Sequence, residues 1–362
     1  MAAFVTRGHA RALRFVERAV SGERPPHALL LEGPAGAGKT TLALDLAAGL
    51  LCLAEDSLAR PCRACAACRK VDHSNHPDVH SLVPDGAGQQ IRVGQVHQLA
   101  AELALLPLEG RYRLAIIEHA QRLNQDAQNA LLKTLEEPPA RAVLVLAADD
   151  SANLLPTVIS RCARLRLGPL PAPVVAELLV ERGAADAARA AAVARLAGGR
   201  PGRALELAGR PELLVSHAHL ARLLLDLLDA DRRQRLAAVT DLLEAGTALA
   251  GAAAGPTDGG TSKTAATARQ APAARRAATG QVINVWRDVA RDLALAGHGA
   301  RHELRLPDLF DELTTAAARL DRGAAAAFVA RLDAYGRAID AYANPDLALD
   351  ALLLEWPAST TA

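Results

Sequence analysis

Aromatic residues are scarce in this sequence: four Phe, three Tyr and two Trp make up 2% of its 362 residues. That scarcity argues against binding of single-stranded nucleic acid on a row of stacked rings. Charge of one sign is lacking as well, with 41 Lys and Arg against 40 Asp and Glu and a formal net charge of +1. The field of the whole molecule therefore draws in neither nucleic acid nor acidic lipid, and any DNA contact has to be local or shared with partners. No run reaches the roughly 18 apolar residues of a membrane span, and the opening MAAFVTRGHARALRF lacks the apolar centre of a signal peptide. The expected address is the cytoplasm, with no membrane partner. No acidic constellation suited to two-metal nucleotidyl transfer stands out, so a polymerase centre is not expected.

Hydrophobic residues nevertheless make up 51% of the chain. Ala, Leu and Val carry that share, which favours helix, and the length allows two or three domains. The N-terminal part alternates helical periodicity with short apolar runs that read as strands: HALLLE (27–32), VHSLV (79–83), RLAIIE (113–118), AVLVLAA (142–148) and ARLRL (163–167). The alternation predicts a mostly parallel sheet covered by helices. Beyond the prolines of GPLPAP (168–173), strand signals stop and helical patterns run from Val174 to about Glu244. Residues 246–280 are rich in Ala, Gly, Thr and Pro, with no large apolar residue after Leu249, and read as a flexible linker. Helical patterns resume at Gln281.

Gly33-Pro34-Ala35-Gly36-Ala37-Gly38-Lys39-Thr40 fits G-x-x-x-x-G-K-[ST] at every fixed position. It lies between a strand and the helix TLALDLAAGLL, where backbone N–H groups can cradle a polyphosphate. Lys39 then reaches the β- and γ-phosphates and the Thr40 hydroxyl binds Mg²⁺, with Thr41 next on the helix. The bland alternative is a glycine-rich turn without a ligand. Hydrolysis is a separate matter, because a carboxylate must help hold Mg²⁺ and another usually orients the attacking water. Glu118, at the end of RLAIIE, can serve the metal or be an ordinary strand-end acid. His119 follows it and substitutes poorly for a carboxylate that aligns water.

Four of the five cysteines, Cys52, Cys62, Cys65 and Cys68, crowd one stretch. Their spacing suits a closed, structural zinc site better than a disulfide framework in a chain with no export signal, the alternative being unligated thiols in a loop. His73, His76 and His80 read as loop residues rather than ligands. Arg161, in Ser160-Arg161-Cys162, alone reads as a cation at a helix end.

Taken together, several segments resemble bacterial DNA polymerase III clamp-loader subunits of the AAA+ superfamily. These are His27-Ala28, the four cysteines, Asn75-His76-Pro77-Asp78, the run Asn129-Ala130-Leu131-Leu132-Lys133-Thr134-Leu135-Glu136-Glu137-Pro138-Pro139, and Ser160-Arg161-Cys162. The likeness is close over residues 1 to about 210 and looser beyond, through Trp286-Arg287-Asp288. It implies an α/β AAA+ P-loop domain with a zinc-binding insertion (1–168), a helical lid (169–245), the linker (246–280) and an all-helical collar for oligomerisation (281–362). It also implies ATP with Mg²⁺ at the P-loop, Zn²⁺ at the cysteines, and Arg161 as a finger reaching the ATP site of a neighbouring subunit. The implied partners are gamma/tau and delta subunits in a hetero-pentameric ring, and through that ring the β sliding clamp and primed DNA.

Three departures separate this chain from the family's ATP-hydrolysing motors. Glu118-His119 stands where motors carry Asp-Glu, Leu146-Ala147-Ala148-Asp149-Asp150 replaces a threonine-rich segment, and Gly202 takes the place of a sensor arginine. They point to a stator-like member that turns over ATP poorly or not at all. A gamma/tau-like motor is the first alternative. The second is a free-standing P-loop switch, which leaves NALLKTLEEPP and SRC without explanation.

Overall fold

Each of the five apolar runs forms a strand: β1 (Ala28–Glu32), β2 (Val79–Leu82), β3 (Arg113–Ile117), β4 (Ala142–Ala148) and β5 (Ala163–Arg166). They form one sheet in the order β2-β3-β4-β1-β5, with every neighbouring pair parallel. The computed structural model describes residues 2–22, 25–84, 90–253, 272–321, 323–340 and 343–359.

Alternate residues of the strands feed two cores, as the two-residue period of a strand requires. Leu29, Leu31, Leu114, Ile116, Val143 and Val145 face α1 (Ala10–Ser21), α2 (Lys39–Leu51) and α3 (Ala66–Asp72). Ala28, Leu30, Ala115, Ile117, Leu144 and Leu146 face α4 (Val93–Leu103), α5 (Gln125–Glu136) and α6 (Pro156–Ile159). Burial on both faces explains why the central strands read as unbroken apolar runs. Parallel pairing brings the C-terminal ends of the three central strands, β3, β4 and β1, side by side.

The remaining helices are α7 (Ala172–Glu181), α8 (Ala187–Leu196), α9 (Pro201–Gly209), α10 (Pro211–Asp226), α11 (Arg232–Ala237), α12 (Val239–Ala253), α13 (Pro272–Ala296), α14 (Phe310–Ala317), α15 (Ala324–Asp340) and α16 (Pro345–Glu355). The chain divides into two compact units, one of residues 1–178 with 199–203 and the other of residues 179–198 with 204–362. In the second unit Trp286, Phe328 and Trp356 form an aromatic cluster with ring centroids 4.8 to 5.5 Å apart. The buried guanidinium of Arg235 donates to the carbonyls of Leu228, Leu353, Trp356 and Pro357, closing the C-terminal end of α16.

Two sequence expectations need correction. The expected linker 246–280 overlaps two helices, since α12 reaches Ala253 and α13 starts at Pro272; the rest of it, 254–271, lies outside the described residues. The expected boundary between lid (169–245) and collar (281–362) is also absent, because α10 and α12 share one unit with α13. Small residues are the reason: Gly246 lets the backbone of α12 lie close against Ala278 and Val282 of α13. A composition that looks too weak to fold suits two helices in near contact.

Candidate nucleotide site and cysteine cluster

The loop after β1 folds around glycines. A Cβ at Gly33 would lie 2.1 Å from the carbonyl oxygen of Leu167, and Gly38 has φ of +99°, which L side chains rarely adopt. The N–H of Ala37 donates to the carbonyl of Pro34 at 3.1 Å, and the Gly202 N–H donates to the carbonyl of Gly36 at 2.8 Å. A side chain at Gly202 would press on Gly36, its Cβ 3.0 Å from the Gly36 Cα. His9 Nε2 meets the Ala37 carbonyl at 3.0 Å. α2 opens at Lys39 without a side-chain cap, so its first N–H groups remain available to an anion. Gly33 to Gly38 thus form a tight loop that runs into Lys39, with Thr40 and Thr41 in the first turn of α2.

The ammonium of Lys39 donates to the carbonyls of Gly33 (2.6 Å) and Pro34 (3.1 Å) and to Asp149 Oδ1 (2.6 Å). The Thr40 hydroxyl donates to Glu118 Oε2 at 3.0 Å, so Glu118, just past β3, stands where it can assist a metal at Thr40. His119 turns away from the strand with φ of +51° and places Nδ1 3.6 Å from Asp149 Oδ2. Asp149 is gripped further by Gln121, whose Nε2 donates to Oδ2 at 2.9 Å while its Oε1 accepts from the Asp149 N–H at 3.1 Å. Burial works to raise the Asp149 carboxyl, but His119 and Lys39 outweigh it and hold it at about 2. In return, Asp149 raises His119 above the ordinary histidine value.

The sequence singles out Lys39, Thr40 and Glu118, whereas the contacts of Asp149 and Gln121 emerge only in the fold. A signal was present, because the residue after β4 must lie beside the P-loop whenever β4 pairs with β1 in parallel.

The sulfurs of Cys52, Cys62, Cys65 and Cys68 all lie within 4.8 Å of one another. The Cys52 and Cys65 sulfurs are 4.0 Å apart, close to the edge of about 3.8 Å that Zn–S bonds of about 2.3 Å give a tetrahedron. Backbone N–H groups of Cys62, Cys65 and Cys68 point to the sulfurs of Cys52, Cys62 and Cys65, each at 3.4 Å. Such donors favour the thiolate: for Cys65 burial pulls upward, yet the Cys68 and Leu53 N–H groups and neighbouring thiols bring it down to about 6. Burial pushes Cys52 and Cys68 up. The donor set fits a soft metal ion held by four sulfurs. His73, His76 and His80 stay outside the group; His76 Nδ1 instead accepts the N–H of Asp78, whose buried carboxylate takes the N–H groups of Leu108, Glu109 and Gly110.

Arg63, between the second and third cysteines, pairs with the buried carboxylate of Asp45 on α2 and with Asp72 on α3. Asp45 also accepts the N–H groups of Val5 (3.0 Å) and Thr6 (2.8 Å). One carboxylate therefore joins the N-terminal segment, the cysteine loop and the helix that follows the P-loop. Arg161, just after α6, is partly exposed; it pairs with Glu136 at 2.7 Å and donates to the Thr157 carbonyl at 3.0 Å.

Residues 8–171 match the family described as DNA polymerase III, delta subunit. The match covers the P-loop, the cysteine cluster and the five strands, and leaves the second unit outside it. The DNA polymerase III subunit delta' of Bacillus subtilis is 37% identical over 172 residues, 48% of this chain and 51% of that protein. Subunit delta' of Pseudomonas aeruginosa is 42% identical over 145 residues, 40% of this chain and 44% of that protein. Subunit tau of Escherichia coli is 34% identical over 164 residues, 45% of this chain and 25% of that protein. The chain thus spans about half the length of the delta' relatives it matches, and a smaller share of tau. Among solved structures, a gamma subunit-related protein of Thermotoga maritima aligns over 95% of this chain and 97% of its own at 18% identity, with a TM-score of 0.43. No helix among the described residues is long and apolar enough to cross a membrane.

Proposed function

We propose that this chain is a delta-prime subunit of the bacterial DNA polymerase III clamp loader, a stator-like member of a hetero-pentameric ring with gamma/tau and delta subunits. The ring loads the β sliding clamp onto primed DNA in the cytoplasm, driven by ATP in its motor subunits. The observation that carries the reading is a complete P-loop beside the strand end Glu118-His119. Aligning water for attack on a γ-phosphate calls for a carboxylate or an equivalent acceptor. The imidazole of His119 instead faces Asp149, with Nδ1 3.6 Å from Oδ2, and the carboxylate raises its proton affinity, which weakens it further as an acceptor.

Gly33 to Lys39 cradle the phosphates of an adenine nucleotide, and Thr40 with Glu118 holds its Mg²⁺. Arg161 acts in trans, its cation stabilising charge at the neighbour's γ-phosphate. Cys52, Cys62, Cys65 and Cys68 close around Zn²⁺ with no open position, which gives the ion a cross-linking role and no catalytic one.

The test is ATP turnover by the full chain alone and after reconstitution with gamma/tau and delta subunits, with and without primed DNA. The chain alone is expected to be inactive, the ring active, and the Arg161→Ala ring assembled but slowed sharply. Turnover by the chain alone that Lys39→Ala abolishes would replace this reading with a gamma/tau-like motor. Failure to enter a ring would leave a free-standing P-loop switch.

A further inference from the structure

The ammonium of Lys39 has three donors and three acceptors: the Gly33 and Pro34 carbonyls and the carboxylate of Asp149. Two of these acceptors belong to the P-loop itself. The third is an anion supplied from the end of β4, at the point on this lysine where a P-loop places the outer phosphates of a nucleotide. We propose that Asp149 stands in for the γ-phosphate, so that this site selects nucleoside diphosphates over nucleoside triphosphates. The proposal rests on the reading of Gly33 to Thr40 as a nucleotide site and extends it to the class of ligand.

Three features keep Asp149 in place. Gln121 holds it at two points, through its side chain and through its backbone N–H. His119 Nδ1 lies 3.6 Å from the same oxygen, Oδ2, that accepts from Gln121, while Oδ1 faces Lys39. The group is also ionised at neutral pH, its proton affinity lowered by His119 and Lys39. A diphosphate can occupy the loop and the N-terminus of α2 with Lys39 still bound to Asp149. A triphosphate would set its terminal, doubly charged group against that carboxylate. Like charges in contact at a partly buried site repel strongly enough to shift an affinity at least about tenfold.

The arrangement also gives His119 a purpose. In place of an acceptor for water, the position carries an imidazole that helps fix the anion of Asp149. The same two residues that depart from a hydrolytic strand end thereby complete a diphosphate site.

The experiment is isothermal titration of the full chain with ADP and with the β,γ-imido analogue of ATP, both with Mg²⁺, for the wild type, Asp149→Asn and Lys39→Ala. Asp149→Asn keeps the shape and removes the charge. The wild type is expected to bind ADP at least about tenfold more tightly than the analogue. In Asp149→Asn the two affinities should converge, through a gain for the triphosphate, and Lys39→Ala should bind neither well. Equal affinities in the wild type would overturn the proposal. So would an unchanged preference in Asp149→Asn, which would remove Asp149 as its cause. If neither the wild type nor Asp149→Asn binds either nucleotide, the nucleotide reading of the P-loop falls and the proposal falls with it.

Discussion

At Nδ1 of His119 the Asp149 carboxylate lies 3.6 Å away and raises the proton affinity of the ring, opposed by burial and aided by the charge of Glu118. A histidine whose folded value is raised contributes stability in full below its unfolded value and loses it as pH climbs through the folded one. Asp149, held at about 2, remains ionised across that whole interval. The stability difference between the wild type and Asp149→Asn should therefore be larger at pH 5.5 than at pH 8.5, read from urea midpoints. The His119 ring signal in NMR should titrate above the ordinary histidine value and move down in Asp149→Asn. A stability gap equal at both pH values would mean that the pair does not form. Little of this was legible residue by residue. The P-loop lysine and Glu118 are visible in a motif, whereas Asp149 reaches Lys39 across 110 positions of sequence. In the same way Arg63 reads as one of several cations near the cysteines, and only the fold shows that it meets Asp45.

Strands and long-range helix pairs differ in how openly the sequence declares them. The five strands are legible because burial on both faces demands near-continuous apolar residues, and the P-loop is legible because only glycine fits its close approaches. The end of α12 and the start of α13 are hidden in the sequence because Ala, Gly and Thr serve either a flexible segment or two helices packed backbone to backbone. The two glycines of this pair make opposite predictions. Glycine inside a helix costs about 0.5–1 kcal/mol relative to alanine, so replacement with alanine ought to stabilise wherever there is room. A Cβ at Gly280 meets nothing within 4 Å, whereas one at Gly246 would lie 2.6 Å from the Ala278 carbonyl oxygen and 2.8 Å from a Val282 methyl. Forcing extra carbon into such a contact costs about 1–3 kcal/mol, which exceeds the propensity gain. Gly280→Ala should raise the denaturation midpoint and Gly246→Ala should lower it, both followed by tryptophan emission. A stabilised Gly246→Ala would show that α12 and α13 do not lie this close.

The two units of the chain carry different reporters. Its two tryptophans, Trp286 and Trp356, both belong to the unit of residues 179–198 and 204–362. The cysteine cluster and the P-loop both belong to the other unit. α3 has only seven residues, too few to hold a helix without tertiary support or a cross-link. Anything that binds the folded form alone stabilises the unit that binds it, so loss of a metal from the four sulfurs should loosen that unit first. Treating the loaded full chain with a chelator should release one Zn²⁺ per chain. It should also speed hydrogen exchange in peptides covering α2 and α3, through the Asp45 and Arg63 contacts that tie the cysteine loop to α2. Exchange in α13, α15 and α16 should stay as it was, and so should the midpoint of tryptophan emission. If the tryptophan midpoint falls by as much as exchange protection around α2 does, the chain unfolds as one cooperative block, and metal loading in the first unit governs the stability of the second.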